Sequence, residues 1–360
     1  MSEKPEKTVL AAGGAECAAQ SCTEKIPEND RENGKESNAG GIACAIVASV
    51  LVVSIIGWLI FRMFAPEPEA LHSEFQIMGT IARVSVYDTE DSLIAADMIC
   101  QQEFAEVNRI CSLYDRESEL SRLNATAAAA PFHCSPEMWS LLMRAKQAYI
   151  DSDGNFDVTV KPLMDLWGFY RKRDQIPSDK EIQDTMKVVG FDKVEFNEKD
   201  RTILFTVPGM SIDLGGIAKG YAIDRAAEKI ISSGIDSGII DLGGNLRLLP
   251  QPPPGKKFYR VAIRDPHNRN KTLPEPLTVK PGLSVSTSGD YERFVIFNGK
   301  KFSHIISPKT GHPGSVSAVT VIAGSAMDAD VFSTSCALGG EPTAEKIRAK
   351  YPGVEIYFTR

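Results

Sequence analysis

The chain is 360 residues long, 43% apolar and 24% charged, with a formal net charge of −7. That length allows one large domain or two smaller ones, and the apolar content suffices for a sizeable core. An acidic balance, with no run of Lys or Arg interleaved with aromatics, excludes a general nucleic-acid binder, which carries a basic face.

Residues 1–41 are rich in Glu, Lys, Asn, Gly and Ala and poor in large apolar side chains. Such a stretch buries too little to offset its ordering entropy and reads as a disordered tail. Ile42 to Phe61 then gives 20 residues without a charge. At about 1.5 Å per residue a helix of that length spans about 30 Å, the thickness of a bilayer's hydrocarbon core. The competing assignment is a buried globular helix, which is seldom apolar on every face. A secretory signal would lie nearer the start and be followed by small residues, whereas Arg62-Met63-Phe64-Ala65-Pro66 follows here. Residues 42–64 are therefore predicted as an uncleaved transmembrane anchor. Lys25, Arg31 and Lys35 before it, against Arg62 after it, favour a cytoplasmic N-terminus. The main domain would then sit on the extracytoplasmic, periplasmic side of the inner membrane.

A stiff Pro/Glu linker over 65–72 leads into one domain over 73–360. Ile81–Tyr87 alternates as a strand, and Asp91–Leu113 carries Ile94, Met98, Phe104, Val107 and Ile110 at helical spacing. Pro136–Tyr149 reads as a helix capped by Ser135, and Val194–Phe196 with Thr202–Val207 as a hairpin. Ala218–Ser232 reads as a helix. Gly238–Leu242, Phe258–Ile263 and Arg293–Phe297 read as strands, the last closed by an Asn298-Gly299 turn. Val316–Ile322 is a further strand, and a helix starts over Met327–Leu338. Strands and helices mix without a βαβ rhythm, which predicts an α+β fold with a largely antiparallel sheet and packed helices. Ile212-Asp-Leu-Gly-Gly216 and Ile240-Asp-Leu-Gly-Gly244 echo each other, as two similar strand-to-loop corners around one site would.

Of seven cysteines, Cys17, Cys22 and Cys44 fall in the tail or the apolar run. Cys100 and Cys111 lie about 16 Å apart along one helix and cannot pair. Cys134 and Cys336 are left as partners that nothing in the sequence supports, and without Cys-x-x-Cys a zinc or dithiol site has no basis. Gly215 and Gly220 have the spacing of a P-loop, but Tyr221 stands where Lys is needed. Asp151-Ser-Asp153-Gly-Asn155 resembles a calcium loop, but Pro162 replaces the closing Glu, and a plain turn is preferred.

Four segments are hard to read as scaffolding: Asp157 to Phe169; Asp213-Leu-Gly-Gly216-Ile-Ala218-Lys219-Gly220-Tyr221 to Arg225; Ser286-Thr-Ser288-Gly-Asp290 to Arg293 with His304-Ile-Ile-Ser307-Pro-Lys-Thr-Gly311; and Ser325-Ala-Met-Asp328-Ala-Asp330-Val-Phe-Ser-Thr334. With Met78-Gly-Thr80 and Tyr114 to Asn124, this ordered set resembles the ApbE-type FAD:protein FMN transferases over nearly all of residues 75–340. The resemblance implies Mg²⁺ held by Asp330, Thr334 and the carbonyl of Ala218, a hard-oxygen set. From the residues alone, a helix cap by the acid is the preferred explanation of Asp330, and Asp328 would serve as such a cap.

The resemblance implies FAD as substrate, bound by Asp213, Gly216, Lys219 and Gly220 at a helix start, where backbone amides and an ammonium favour phosphate. A tight turn with a solvated Lys is the plain alternative. Met78 and Tyr114 would sandwich the flavin ring, and Ser121, Asn124 and Asp165 would add polar contacts. His304 would take a proton from the attacking hydroxyl, Lys219 would assist at the pyrophosphate, and Asp290 would hold substrate or orient groups. Ser307 departs from the Asp usual in that motif. The implied reaction moves FMN from FAD onto a Ser or Thr hydroxyl of a target protein and releases AMP. The implied target is a flavoprotein subunit of a membrane electron-transfer complex. The alternatives are a Mg²⁺-dependent FAD pyrophosphatase and a non-catalytic, membrane-bound flavin carrier.

Overall fold

The structure, a computed structural model, describes residues 46–58 and 69–359 except 267, 269, 291, 292 and 315–317. The chain divides into two units, residues 1–66 and 67–360. In the first, residues 46–58 form helix α1, and every side chain on it is exposed. The expected tail (1–41) and the ends of the expected anchor lie outside the described residues. Among the described residues no helix is long and apolar enough to cross a membrane.

The second unit opens with strand β1, Leu71–Ile77, which begins inside the stretch expected as linker. Its Leu-His-Ser-Glu-Phe-Gln-Ile alternation is half-exposed, as befits an edge strand, and is too polar to stand out in the sequence. β2 (Thr80–Val86) follows, with Ala82, Val84 and Val86 turned inward. Helix α2 (Glu90–Cys111) is capped by Thr89. Its inward face is Ala96, Cys100, Phe104, Val107 and Ile110, whereas Ile94 and Met98, expected on that face, are exposed. Small Ala and Cys side chains let α2 lie close to the sheet where bulkier ones would hold it off.

Next come α3 (Glu119–Thr126), β3 (Phe132–His133) and α4 (Pro136–Asp151), the last capped by Ser135 as expected. The segment that resembled a calcium loop is the turn after α4, with Asp153 at φ 51° and Gly154 at φ 75°. Asp151 accepts hydrogen bonds from Lys350 and Tyr351 instead of facing a cation. Then follow α5 (Lys161–Leu166), α6 (Asp179–Met186), β4 (Val194–Asn197) and β5 (Thr202–Phe205). Helix α7 covers Ala218–Ser232, and β6 and β7 cover Gly238–Leu242 and Asn245–Leu248.

The later strands are β8 (Tyr259–Val261), β9 (Leu277–Val279), β10 (Ser284–Gly289), β11 (Phe294–Phe297), β12 (Lys300–Ser303) and β13 (Ala318–Ala323). Asn298 and Gly299, at φ 50° and 78°, turn β11 into β12 as expected. Helix α8 (Ala326–Lys350) starts where expected and consists of two helical runs broken at Gly340, whose φ of 63° and ψ of −157° are not helical, and β14 (Glu355–Thr359) follows.

Seven strands form one sheet in the order β1-β2-β6-β7-β10-β13-β14, with every neighbouring pair antiparallel. Helices α2, α7 and α8 pack on one face, and α7 lies between α2 and α8. The buried Glu103 carboxylate locks α2 to α7 by accepting from Arg225 Nε at 2.7 Å and from Lys229. Burial alone would raise its pKa, but hydrogen bonds from Lys229 and Arg225 hold it below the usual range. On the other face, β8 and β9 cover Leu248, Val285 and Ile322 with Tyr259, Val261 and Val279. A separate cluster of Leu163, Trp167, Ile182, Phe297 and Ile306 joins α5 and α6 to the β11–β12 ribbon.

Cys134 and Cys336 do not pair: both are free and buried, and burial pushes each thiol up to about 12. The α+β fold with an antiparallel sheet is as expected.

Candidate active site

The site begins where the chain leaves Val158 and enters α7. Asp213 donates its amide to the Val158 carbonyl at 2.7 Å. Its carboxylate accepts from the Gly215 amide at 2.8 Å and from the Tyr170 hydroxyl at 2.5 Å. Asp213 thus fixes the glycine corner through three directions. Helix α7 starts at Ala218 without a side-chain cap of its own. The missing acceptor comes from α8: Asp330 Oδ2 accepts from the Gly220 amide at 3.1 Å, and Lys219 Nζ lies 3.5 Å from Asp330 Oδ1. A first-turn amide and an ammonium together stabilise a carboxylate that is only 2% exposed.

Thr334, one turn after Asp330 on α8, faces the same corner. A Cβ on Gly216 would lie 3.5 Å from Thr334 Oγ1, an ordinary contact, and 3.2 Å from the Phe156 ring, a tight one, so Gly216 and Thr334 face each other across the corner. Asp330 therefore does not cap its own helix. Nor does Asp328: Ser325 caps α8 by accepting from the Asp328 amide at 3.0 Å, while the Asp328 carboxylate holds Arg144.

A cleft of about 1070 Å³ opens on this corner. Met78, Tyr114, Asp213, Lys219, His304 and Asp330 line it, as do Gly216, Ala218 and Thr334. Met78 sits at φ 51°, ahead of Gly79 at φ 72°, in the β1–β2 turn. A left-handed backbone costs a residue with a Cβ about 1–2 kcal/mol, and here it accompanies a thioether on the cleft wall. Tyr114 is 74% exposed, with its ring edge-on to Tyr170 at 5.9 Å.

His304 Nδ1 is 3.0 Å from the Arg293 carbonyl. A carbonyl only accepts, so Nδ1 carries the proton and Nε2 keeps its lone pair. Burial, then the nearby Lys219 charge, pull the imidazole pKa down from 6.5 to about 4, and the Arg293 carbonyl only partly opposes them. The ring is a neutral base at neutral pH.

Five expected site residues are not on the cleft wall. Asn124 spends both ends of its amide on Ile212, donating to its carbonyl at 2.9 Å and accepting from its amide at 2.7 Å. Ser121 donates to the Ser112 carbonyl, and Asp165 is paired with Lys161 at 2.6 Å, one helical turn away. Asp290 follows β10. Gly220 serves helix packing: a Cβ there would stand 2.4 Å from the Ala326 carbonyl oxygen. Ser307 accepts from the Lys309 and Thr310 amides, each at 3.3 Å, and so makes the turn that an Asp would make.

Sequence reasoning missed Tyr170 and Arg293. The Arg293 guanidinium lies 5.1 Å above the Tyr170 ring and holds the Phe169 carbonyl. Arg293 closes one of the four motif segments, but neither its contact nor that of Tyr170 is marked locally, because their partners Phe169 and Asp213 lie 124 and 43 positions away in the chain. The two Ile-Asp-Leu-Gly-Gly copies do reach one cleft, through Asp213 and Asp241. Only the second is strand-to-turn, since residues 212–214 form no strand.

A sequence model of the ApbE family matches residues 78–358. FAD:protein FMN transferases of Haemophilus influenzae and Vibrio cholerae are each 30% identical to the chain. The alignments cover 79% and 81% of this chain and 85% and 87% of those proteins. Among solved structures, the ApbE protein of Thermotoga maritima superposes with a TM-score of 0.72 at 28% identity, covering 81% of this chain and 97% of that one. The flavin transferase ApbE of Vibrio cholerae gives 0.70 at 29%, covering 81% and 94%. With its glycine–lysine corner, its Asp330–Thr334 turn and a match over most of its length, this chain belongs to the ApbE family.

Proposed function

We propose that the enzyme transfers FMN from FAD to a Ser or Thr hydroxyl of a target protein, with AMP as leaving group and Mg²⁺ as cofactor. The observation that carries this reading is the convergence of Lys219, Asp330 and Thr334, from two helices, on one glycine corner of a cleft that also holds His304. Asp330, Thr334 and Ala218 offer a carboxylate, a hydroxyl and a carbonyl. Among the described residues there is no cluster of three or more His, Cys, Asp or Glu suited to a metal. One carboxylate nevertheless suits Mg²⁺, which usually keeps few protein ligands and completes its shell with water and substrate phosphates. When bound, Mg²⁺ would offset charge at the pyrophosphate. Lys219 adds a positive charge at the same place, and His304 Nε2 accepts the proton of the attacking hydroxyl. Met78 and Tyr114 offer a thioether and a phenol to the flavin ring.

Incubation with FAD, Mg²⁺ and a flavoprotein target tests the reading. The expected products are AMP and a target carrying FMN covalently, seen by mass spectrometry. AMP with only free FMN would assign a pyrophosphatase, and neither product would leave a flavin carrier. The charge-free run at 42–61 and the basic residues before it support an inner-membrane anchor with the catalytic domain on the periplasmic side. There it would stand beside a membrane electron-transfer complex. Release of the chain from membranes by carbonate, without detergent, would remove the anchor.

The pH dependence follows from His304. Its folded pKa of about 4 lies below the ordinary 6.5, so the base is competent above about 4 and is lost as pH falls through that value. The acid limb of kcat/KM is expected near pH 4 in the wild type and absent from the residual activity of His304→Gln. A limb near 6.5 would show that His304 titrates as an exposed imidazole.

A further inference from the structure

The Ser286-Thr-Ser288-Gly289 segment takes no part in the chemistry above, yet Thr287 and Ser288 reach the same cleft and Ser288 Oγ lies 3.2 Å from Thr334 Oγ1. Following its protons assigns it a task. Ser333 donates its single hydroxyl proton to the Asp330 carbonyl at 3.0 Å, an oxygen that can only accept. Ser333 and Ser288 have their Oγ atoms 2.8 Å apart. One proton must bridge that distance, and Ser333 has none left, so it is the proton of Ser288. Ser288 then has none for Thr334, whose Oγ1 is 3.2 Å away. That second bridge is therefore made by the proton of Thr334. The chain of donors runs one way: Thr334 to Ser288, Ser288 to Ser333, Ser333 to the carbonyl of Asp330.

We infer that Ser288 is a positioning residue for the cation: it draws the Thr334 proton back toward β10 and leaves the Thr334 lone pairs to the cleft. This rests on the Mg²⁺ reading of Asp330 and Thr334 given above. A hydroxyl can ligate a cation only through a lone pair, and one whose proton points at the cation repels it. Ser288 and Ser333 are 9% and 0% exposed, so water has little access to reorient the relay. The relay also ends on the backbone of Asp330, so both expected side-chain ligands are set from one turn of α8. Orientation of metal ligands by hydrogen bonds behind them is a general device, and loss of such a partner typically weakens metal affinity about 10- to 100-fold. Ser286 is the internal control. It lies on the same strand, 2.7 Å from the Asn245 side chain and 3.2 Å from Ser333, and neither contact reaches Thr334. It is outside the donor chain that begins at Thr334.

The test uses the full chain in detergent and Mn²⁺ alone, with bound metal read from the loss of the free-ion EPR signal. Ser288→Ala is expected to raise the Mn²⁺ Kd about tenfold, with FAD affinity in EDTA and the circular dichroism spectrum unchanged. Ser333→Ala frees the Ser288 proton to turn toward Thr334 and is expected to weaken Mn²⁺ as well. It serves as the second variant should Ser288→Ala fail to fold. Ser286→Ala is expected to stay within twofold of wild type. If Asp330→Ala and Thr334→Ala weaken Mn²⁺ but Ser288→Ala and Ser333→Ala do not, the relay is wrong and the metal reading stands. Equal losses in Ser288→Ala and Ser286→Ala would reduce Ser288 to a packing role. No Mn²⁺ bound by the wild type, or full binding by Asp330→Ala, would overturn the metal reading and the relay together.

Discussion

Asp330→Ala is expected to lower AMP release from FAD by about 10³-fold, the effect of roughly 4 kcal/mol of lost charge stabilisation. The carboxylate does three things at once. It accepts from the Gly220 amide at 3.1 Å, faces Lys219 at 3.5 Å, and supplies the only negative side chain of the proposed cation set. Alanine would leave the first turn of α7 without its acceptor, a cost of about 1–3 kcal/mol in folding stability. Asp330→Asn separates the two contributions, since its amide oxygen can still accept from Gly220 but carries no charge. Both variants are expected to lose turnover, while Asn keeps most of the stability. The measurements are AMP by chromatography and the circular dichroism melting temperature. Unchanged turnover in the Asn variant would remove the metal from the mechanism.

Gly220→Ala is expected to destabilise the fold by roughly 3 kcal/mol, at the upper end for overpacking. The sign is the reverse of the usual one, since alanine in a helix normally gains about 1 kcal/mol over glycine. Here the added Cβ would fall 2.4 Å from the Ala326 carbonyl oxygen and 2.5 Å from the Met327 Cα, and neither is a side chain that can swing away. Relief requires α7 to move from the start of α8, which separates Lys219 from Asp330. A lower urea midpoint and lower turnover should therefore appear together, and a neutral or stabilised variant would contradict the helix contact.

The local elements were legible where one residue's chemistry dominates its neighbourhood. Ser135 caps α4 and Asn298-Gly299 turns β11 into β12 as read, and α7 spans the residues expected of it. Errors fell where neighbours in space decide. The inward face of α2 passes through Ala96 and Cys100 and leaves Ile94 and Met98 in solvent, because close approach to the sheet outweighs hydrophobicity. β1 went unread because an edge strand buries only part of one face.

The candidate site divides in the same way. Its ordered motifs carried the resemblance to a family, and Met78, Tyr114, Asp213, Lys219, His304, Asp330 and Thr334 do meet in one cleft. Motif membership could not separate a residue facing the cleft from one supporting it. Asn124 clamps the backbone of Ile212, and Gly220 makes room for α8.

Short-range chemistry along the chain was enough to set out several helices and turns, because caps, periodicity and glycine turns act within a few residues, whereas the candidate reactive groups came from the resemblance to a family. The pairing of Asp213 with Tyr170, the capping of α7 by Asp330 and the proton direction at Thr334 emerge only from the folded arrangement. Each joins groups 43 or more positions apart, and hydrogen-bond partners at that separation are chosen by how helices and strands pack.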